Sequence, residues 1–160
     1  GLIGIFIATY IFSKKNRINK YIFLDLICIS APIGIFFGRI ANFINGELIG
    51  KATNANWGVI FPEVDNTLRH PSQLYECLLE GVILFILMNL IFFRKKNKTG
   101  TVSFAFLFFY GTFRSISEIF REPDIQIGYL TGSLSMGMLL SLTMIFISII
   151  FYYKINETKN

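Results

Sequence analysis

The sequence predicts an all-α fold, a polytopic membrane helix bundle of about five transmembrane segments with an extracytoplasmic loop region at 46–72. Three observations lead there. Of 160 residues, 53% are hydrophobic and the mean hydropathy is +0.57, above the roughly 45–50% apolar content of a soluble domain. The apolar residues gather into long runs separated by polar connections. The basic residues favour alternate connections, as in a chain that crosses a bilayer repeatedly. No internal repeat stands out, and 1–160 reads as a single membrane domain.

The apolar runs lie at about 1–12, 21–38, 74–93, 101–113 and 132–153. A helical crossing takes about 20 residues. The first run resembles the second half of a helix, and a start on Gly1 rather than Met suggests the C-terminal portion of a larger protein. The second reaches spanning length by continuing past Gly38. The third and fifth are long enough as they stand. The fourth has only residues 101–113 before Arg114, about 20 Å of helix against a core of about 30 Å. To span, it must carry Arg114, Ser117 and Glu118 into the outer part of the bilayer.

The formal charge of +5 is informative by position. Lys14, Lys15, Arg17 and Lys20 occupy the first connection, Arg94, Lys95, Lys96 and Lys98 the third, and Lys154 and Lys159 the tail, with Glu157 their sole acid. Arg39, Lys51, Arg69, Arg114 and Arg121 fall in or beside the second and fourth connections, mixed with Glu47, Glu63, Asp65, Glu118, Glu122 and Asp124. The basic connections are therefore assigned to the cytoplasm and the mixed ones to the outside. Charge placed this way calls for a membrane and no nucleic acid. Cys28 and Cys77 lie in apolar runs and read as buried, unpaired thiols, since a nucleophilic cysteine needs a cationic, partly exposed setting.

The second connection is too long for a tight turn. Asn54-Ala55-Asn56-Trp57-Gly58, Pro62 and Asp65-Asn66 mark turns, and Trp57 and Phe61 are expected to anchor it at the membrane interface. Gly50-Lys51-Ala52-Thr53 resembles the end of a phosphate loop, but Gly46 and Gly50 are one residue too close for that motif.

Polar residues at membrane depth point to a site. If 36–45 is helical, Arg39, Asn42 and Asn45 are expected on one face, where a guanidinium flanked by carboxamides suits an anion. A helix end with a snorkelling arginine and capping asparagines would give the same pattern. Arg114, Glu118 and Arg121, at i, i+4 and i+7, are expected on one helix face, as a structural ion pair or as one wall of a polar site. Pro71 or Ser72 starts the third helix, so Gln73, Glu76 and Glu80 share a face. Glu76 suits the positive end of the helix dipole, while Glu80, deeper, needs a partner. His70 reads as a surface or capping residue, and Asp25 as a cap or a pair for nearby lysines. Arg39, Arg114 and Arg121 against Glu76, Glu118 and Glu47 outline a wet notch for a lipid phosphate, with the glutamates steadying the arginine forks.

Gly38-Arg39-Ile40-Ala41-Asn42-Phe43-Ile44-Asn45-Gly46-Glu47-Leu48-Ile49-Gly50 resembles the signature of the bacterial phosphatidylglycerol–prolipoprotein diacylglyceryl transferases at every fixed position. Trp57 to Pro62, Arg69 to Glu76, Phe113 to Asp124 and Ser135-Met136-Gly137 are similar to further motifs of that family, in order. The resemblance implies a seven-helix enzyme of the bacterial plasma (inner) membrane with its active site on the extracytoplasmic side. It implies transfer of the diacylglyceryl group of phosphatidylglycerol to the lipobox cysteine in a prolipoprotein signal peptide, with glycerol phosphate released. The nucleophile belongs to the substrate, and no cofactor or metal is expected. Carried over, the catalytic positions are Arg39, Asn42, Glu47, Arg114 and Glu118, and the substrate-binding positions are Arg39, Asn42, Asn45, Gly50, Arg114 and Arg121.

In these roles Arg39 and Arg114 bind the phosphate, Glu118 holds Arg114, Asn42 and Asn45 donate to the lipid head, and Gly50 permits close backbone approach. Two departures stand out. The family's His-Gly pair, whose histidine is a proposed base for the thiol, would precede Gly1. Met138 stands where the family commonly has Gln. Other readings of the same residues are a membrane carrier with an intramembrane Arg/Glu pathway and an inactive remnant. A carrier calls for polar faces through the inner halves of its helices, but Ile83–Phe93 and Ser103–Phe109 are almost wholly apolar.

Overall fold

Long apolar runs in an apolar surround must satisfy their backbone hydrogen bonds internally, which a helix does, and the polar connections cap the ends. The computed structural model describes residues 2–94, 98–123, 128–131 and 134–157. Gly1, Lys95, Lys96, Asp124 and Lys159, and the side chains of Lys154 and Glu157, lie outside the described residues. The helices described are α1 (Leu2–Asn16), α2 (Lys20–Ile44), α3 (Ser72–Phe92), α4 (Thr101–Glu118) and α5 (Met136–Glu157). Within α3 the segment Cys77–Ile83 is π-helical. Two short antiparallel pairs complete the description: β1 (Val59–Ile60) with β2 (Leu68–Arg69), in register Val59↔Arg69, and β3 (Tyr129–Thr131) with β4 (Leu134–Ser135).

By length and composition α2, α3 and the Met136–Tyr153 part of α5 can cross a membrane. Helix α1, with 15 residues, is shorter than a crossing, and α4, with 18, carries Arg114 and Glu118. Large apolar side chains on the candidate crossings point outward, with Phe37 65%, Ile44 76% and Phe146 65% exposed. The protein interior is correspondingly small. Leu84, Met88 and Val102 form its centre, packed by Cys28, Ile29, Phe106 and Phe109 where α2, α3 and α4 meet. Such an apolar exterior fits a hydrocarbon surround.

The helix ends are held by identifiable caps. The Asn19 side chain accepts the Tyr21 N–H at 2.9 Å and starts α2. Buried Asp25 accepts the Gly100 and Ser103 N–H groups at 2.7 and 2.8 Å and the Ser103 hydroxyl at 2.6 Å. Asp25 thus performs the capping role expected of it, across to the start of α4, where a carboxylate also meets the positive end of the dipole. Ser135 Oγ accepts the Met138 N–H at 3.1 Å and caps α5. Lys14, Lys15, Lys20, Arg94 and Lys98 all sit at the Asp25 end of the bundle, near helix termini. The opposite end joins the C-terminus of α2, the N-terminus of α3, the C-terminus of α4 and the start of α5 through the contacts described below.

The loop between α2 and α3 corrects one expectation. Trp57 is 65% exposed, as an interfacial anchor should be, but Phe61 is buried and meets Phe43 edge-on at 6.0 Å. Phe61 thus seats the loop on the end of α2.

Candidate active site

Helix α2 ends because Asn45 caps it, its N–H bonding the Ala41 carbonyl at 2.9 Å, and because Gly46 follows at φ +66°. One turn before that end, Arg39 leaves α2 toward α3. Its Nε lies 2.9 Å from Glu76 Oε2 and its Nη2 donates to Glu80 Oε2 at 3.1 Å. From α4, Arg114 Nη1 donates to Glu76 Oε1 and stands 3.7 Å from Glu80 Oε1, while Nη2 lies 2.8 Å from Glu118 Oε2. Arg121 Nη1 reaches the same Glu76 oxygen at 3.5 Å. Glu76 and Glu80 are fully buried. Three guanidiniums and three carboxylates therefore balance within one cluster, as burial of charge requires. The π-helical segment starts immediately after Glu76 and contains Glu80. Such turns recur at functional sites because they re-aim side chains.

Helix α4 stops at Glu118, with Ile119 as its cap. Arg121 lies beyond, in an extended strip bridged to Gly50. Lys51 N–H donates to the Phe120 carbonyl at 2.9 Å and Glu122 N–H to the Ile49 carbonyl at 3.1 Å. The expected shared helix face of Arg114, Glu118 and Arg121 is thus corrected. Arg114 and Glu118 do pair along the helix, but Arg121 enters the cluster from the loop. Glu118 is fixed further by the Ser135 hydroxyl, which donates to its Oε1 at 2.7 Å. Gly137 lies against the same carboxylate, where a Cβ would come within 2.6 Å of Oε1.

The signature stretch divides. Arg39 faces α3, whereas Asn45 is exposed at the helix end, in a groove of about 730 Å³ with Phe61, Pro62 and Glu63. Six residues at about 100° each put Arg39 and Asn45 about 120° apart, so the expected common face of Arg39, Asn42 and Asn45 does not form. Asn42 is half-buried between them, its carbonyl accepting the Glu47 N–H at 2.9 Å. Glu47 is exposed; it is its backbone carbonyl that is held, by Gln73 Nε2 at 2.7 Å. Ser72 Oγ donates to the Leu48 carbonyl at 3.2 Å. Gly50 behaves as expected of a close-approach residue, since a Cβ there would strike the His70 carbonyl.

The loop is braced by Arg69, which donates to the Gly50 carbonyl at 3.1 Å, pairs with Asp65 at 2.6 Å and lies 3.4 Å from Glu122. Hydrogen bonding from Arg69 holds the Asp65 carboxyl down at about 2, below its ordinary 3.8. His70 is half-buried rather than a surface residue, its Nδ1 3.2 Å from the Tyr75 hydroxyl, which also accepts from Trp57 Nε1 at 2.9 Å.

The structure thus brings Arg39, Arg114, Glu118 and Arg121 together, seats Gly50 beside them, and leaves the side chains of Asn45 and Glu47 exposed. Glu76, expected in the polar notch, and Glu80, expected to need a partner, organise the cluster, although neither is among the catalytic or binding positions carried over from the resemblance. Their signal in the sequence is two acids at i and i+4 in an otherwise apolar helix, a costly placement without cationic partners. Among the described residues no three His, Cys, Asp or Glu side chains gather as metal ligands. Chemically, the cluster offers oriented guanidinium forks, suited to a phosphoryl group.

A family model described as prolipoprotein diacylglyceryl transferase matches residues 1–154. A phosphatidylglycerol–prolipoprotein diacylglyceryl transferase of Rickettsia bellii (strain OSU 85-389) is 51% identical over 156 residues, covering 96% of this chain and 59% of the relative. Proteins of the same name from Rickettsia felis and Rickettsia rickettsii (strain Sheila Smith) are 51% and 52% identical over 147 residues, covering 91% of this chain and 57% of each relative. The chain spans less than two thirds of the length of these relatives.

Proposed function

The chain belongs to the prolipoprotein diacylglyceryl transferase family, and from that premise we propose that it carries the phosphate-handling half of a transferase site. The reaction moves the diacylglyceryl group of phosphatidylglycerol to the lipobox cysteine of a prolipoprotein. A carbon–sulfur bond forms at the glyceryl carbon, its carbon–oxygen bond to phosphate breaks, the thiol loses its proton, and glycerol phosphate leaves. The observation that carries this reading is the convergence of Arg39 and Arg114, from different helices, on the buried pair Glu76 and Glu80.

In this reading Arg39 and Arg114 engage the lipid phosphate and stabilise the charge that builds as glycerol phosphate departs. Glu118 keeps the Arg114 fork oriented, supported by Ser135. Arg121 adds charge from the loop side, and Gly50 lets that loop lie close. Asn42, half-buried on the side nearer Arg39, donates to the glycerol head, and Glu47 closes the rim. The site lies in the outer leaflet of the bacterial inner membrane, because the cationic connections at the opposite end mark the cytoplasm. Leu84, Met88 and Val102 fill the bundle interior beyond the cluster, which favours chemistry at one leaflet over a path through the bundle.

The test is to incubate the protein with phosphatidylglycerol vesicles and a lipobox peptide, both alone and with the remaining part of a relative supplied. A diacylglyceryl mass on the peptide cysteine is expected with phosphatidylglycerol and not with phosphatidylcholine. A peptide left unmodified in both arrangements contradicts the reading.

A further inference from the structure

Beyond Glu118 lies a second, smaller cavity of about 190 Å³, lined by Lys51, Arg121, Glu118, Ser135 and Met138. Its two cations are pinned to one wall. Gly50 and Arg121 form a backbone bridge, the Lys51 N–H bonds the Phe120 carbonyl at 2.9 Å, and Lys51 Nζ donates to the Ile119 carbonyl at 2.8 Å. Ser135 and Met138 bring the N-terminal turn of α5, the positive end of a 22-residue helix, into the lining. Arg121 belongs to both places, since it lines the cavity and its Nη1 also lies 3.5 Å from Glu76 in the arginine–glutamate cluster. The volume is below the roughly 300–1,000 Å³ of sites for drug-sized ligands. That excludes a lipid with its chains and suits a small phosphorylated polyol.

We propose that this cavity binds the phosphomonoester leaving group, with Lys51 as an anion-binding residue that nothing in the family resemblance assigns. The identity of the ligand rests on the transferase reading. A phosphodiester carries one negative charge and its released phosphomonoester up to two, so a cavity with an added lysine favours the product over the lipid. Arg121 would contact the phosphate on both sides of bond cleavage, passing it from the Arg114 cluster toward Lys51. The hydroxyl of Ser135 offers a polar contact for the polyol.

The experiment is binding of glycerol phosphate to the whole chain in detergent, followed by 31P NMR line broadening, with excess glycerol added as an uncharged competitor that should leave the broadening unchanged. Lys51→Met is expected to weaken binding about tenfold or more, the scale of a lost charged hydrogen bond. Lys51→Arg should keep it within a few-fold. Met138→Trp, which fills the cavity without adding or removing a charge, should also weaken it. Phosphatidylglycerol in nanodiscs should bind Lys51→Met and the unaltered chain alike. Unchanged glycerol phosphate binding in both Lys51→Met and Met138→Trp overturns the proposal. So does a Lys51→Met defect confined to the lipid, which would make the cavity a headgroup site. Lys51-dependent binding of glycerol phosphate without any modification of a lipobox peptide would support the cavity while removing the transferase reading.

Discussion

Glu76 is the residue on which the site's electrostatics turn. It is fully buried, one of its oxygens meets Arg39, and the other meets Arg114 and Arg121. Glu80 repeats the pairing with Arg39 and Arg114 one turn deeper. Breaking one member of a buried ionic set leaves its partners uncompensated, at about 3–5 kcal/mol. Glu76→Gln, which keeps shape and removes charge, is expected to lower stability toward denaturant in detergent by that order. Exposed Glu47→Gln serves as the control and should change stability little. Equal stability of the Glu76→Gln and unaltered proteins would mean that the arginines find their counter-charge elsewhere. The carboxylates also explain why arginine is needed here. The Arg39 fork is split between two acids and the Arg114 fork among three, a geometry that the compact ammonium of lysine does not reproduce.

At the scale of elements, two joints hold the site in place. Helix α4 begins under Asp25 and ends at Glu118, so the cap at one end fixes the register with which Arg114 arrives at the other. Asp25→Asn keeps the shape of the side chain but removes the charge at the helix N-terminus and one acceptor. It should cost about 1–2 kcal/mol, read as a lower melting temperature in detergent with unchanged glycerol phosphate binding by the folded fraction. The second joint is the loop brace of Asp65 and Arg69. The folded carboxyl titrates at about 2 and the free one at 3.8, so folding depresses it. Its contribution is therefore present above the ordinary carboxylate range and is lost as pH falls through the folded value. Pepsin cleavage within 46–72 should rise as pH drops from about 4 to about 2, relative to a reference substrate, and Asp65→Asn should be cleaved readily across that whole range. Cleavage of the unaltered loop that does not depend on pH would contradict the brace.

For the whole molecule, the helices were legible because hydropathy is a local property of the chain. The runs at 21–38 and 74–93 became α2 and α3, and 136–153 of the fifth run became the crossing part of α5. The charges gathered at one end, Lys14 to Lys20 with Arg94 and Lys98, were legible for the same reason. What required packing was less so. That Arg39 and Arg114 would meet Glu76 in one notch could be read, but not that both would also reach Glu80, since that depends on how three helices cross. Arg121 was misplaced because the stop of α4 at Glu118 is set by the strip pairing of Ile49 to Lys51 with Phe120 to Glu122, a contact between distant parts of the chain. Asn45 leaves the expected face because steps of three drift by about 60° each, and two of them carry it about 120° from Arg39. The central claim is that a carboxylate-held guanidinium fork handles the lipid phosphate. The most direct measurement is the rate at which a lipobox peptide gains the diacylglyceryl mass from phosphatidylglycerol, compared between Arg114 and Arg114→Lys with the remaining part of a relative supplied. The fork predicts a fall on the order of a hundredfold in the lysine variant, and equal rates would contradict it.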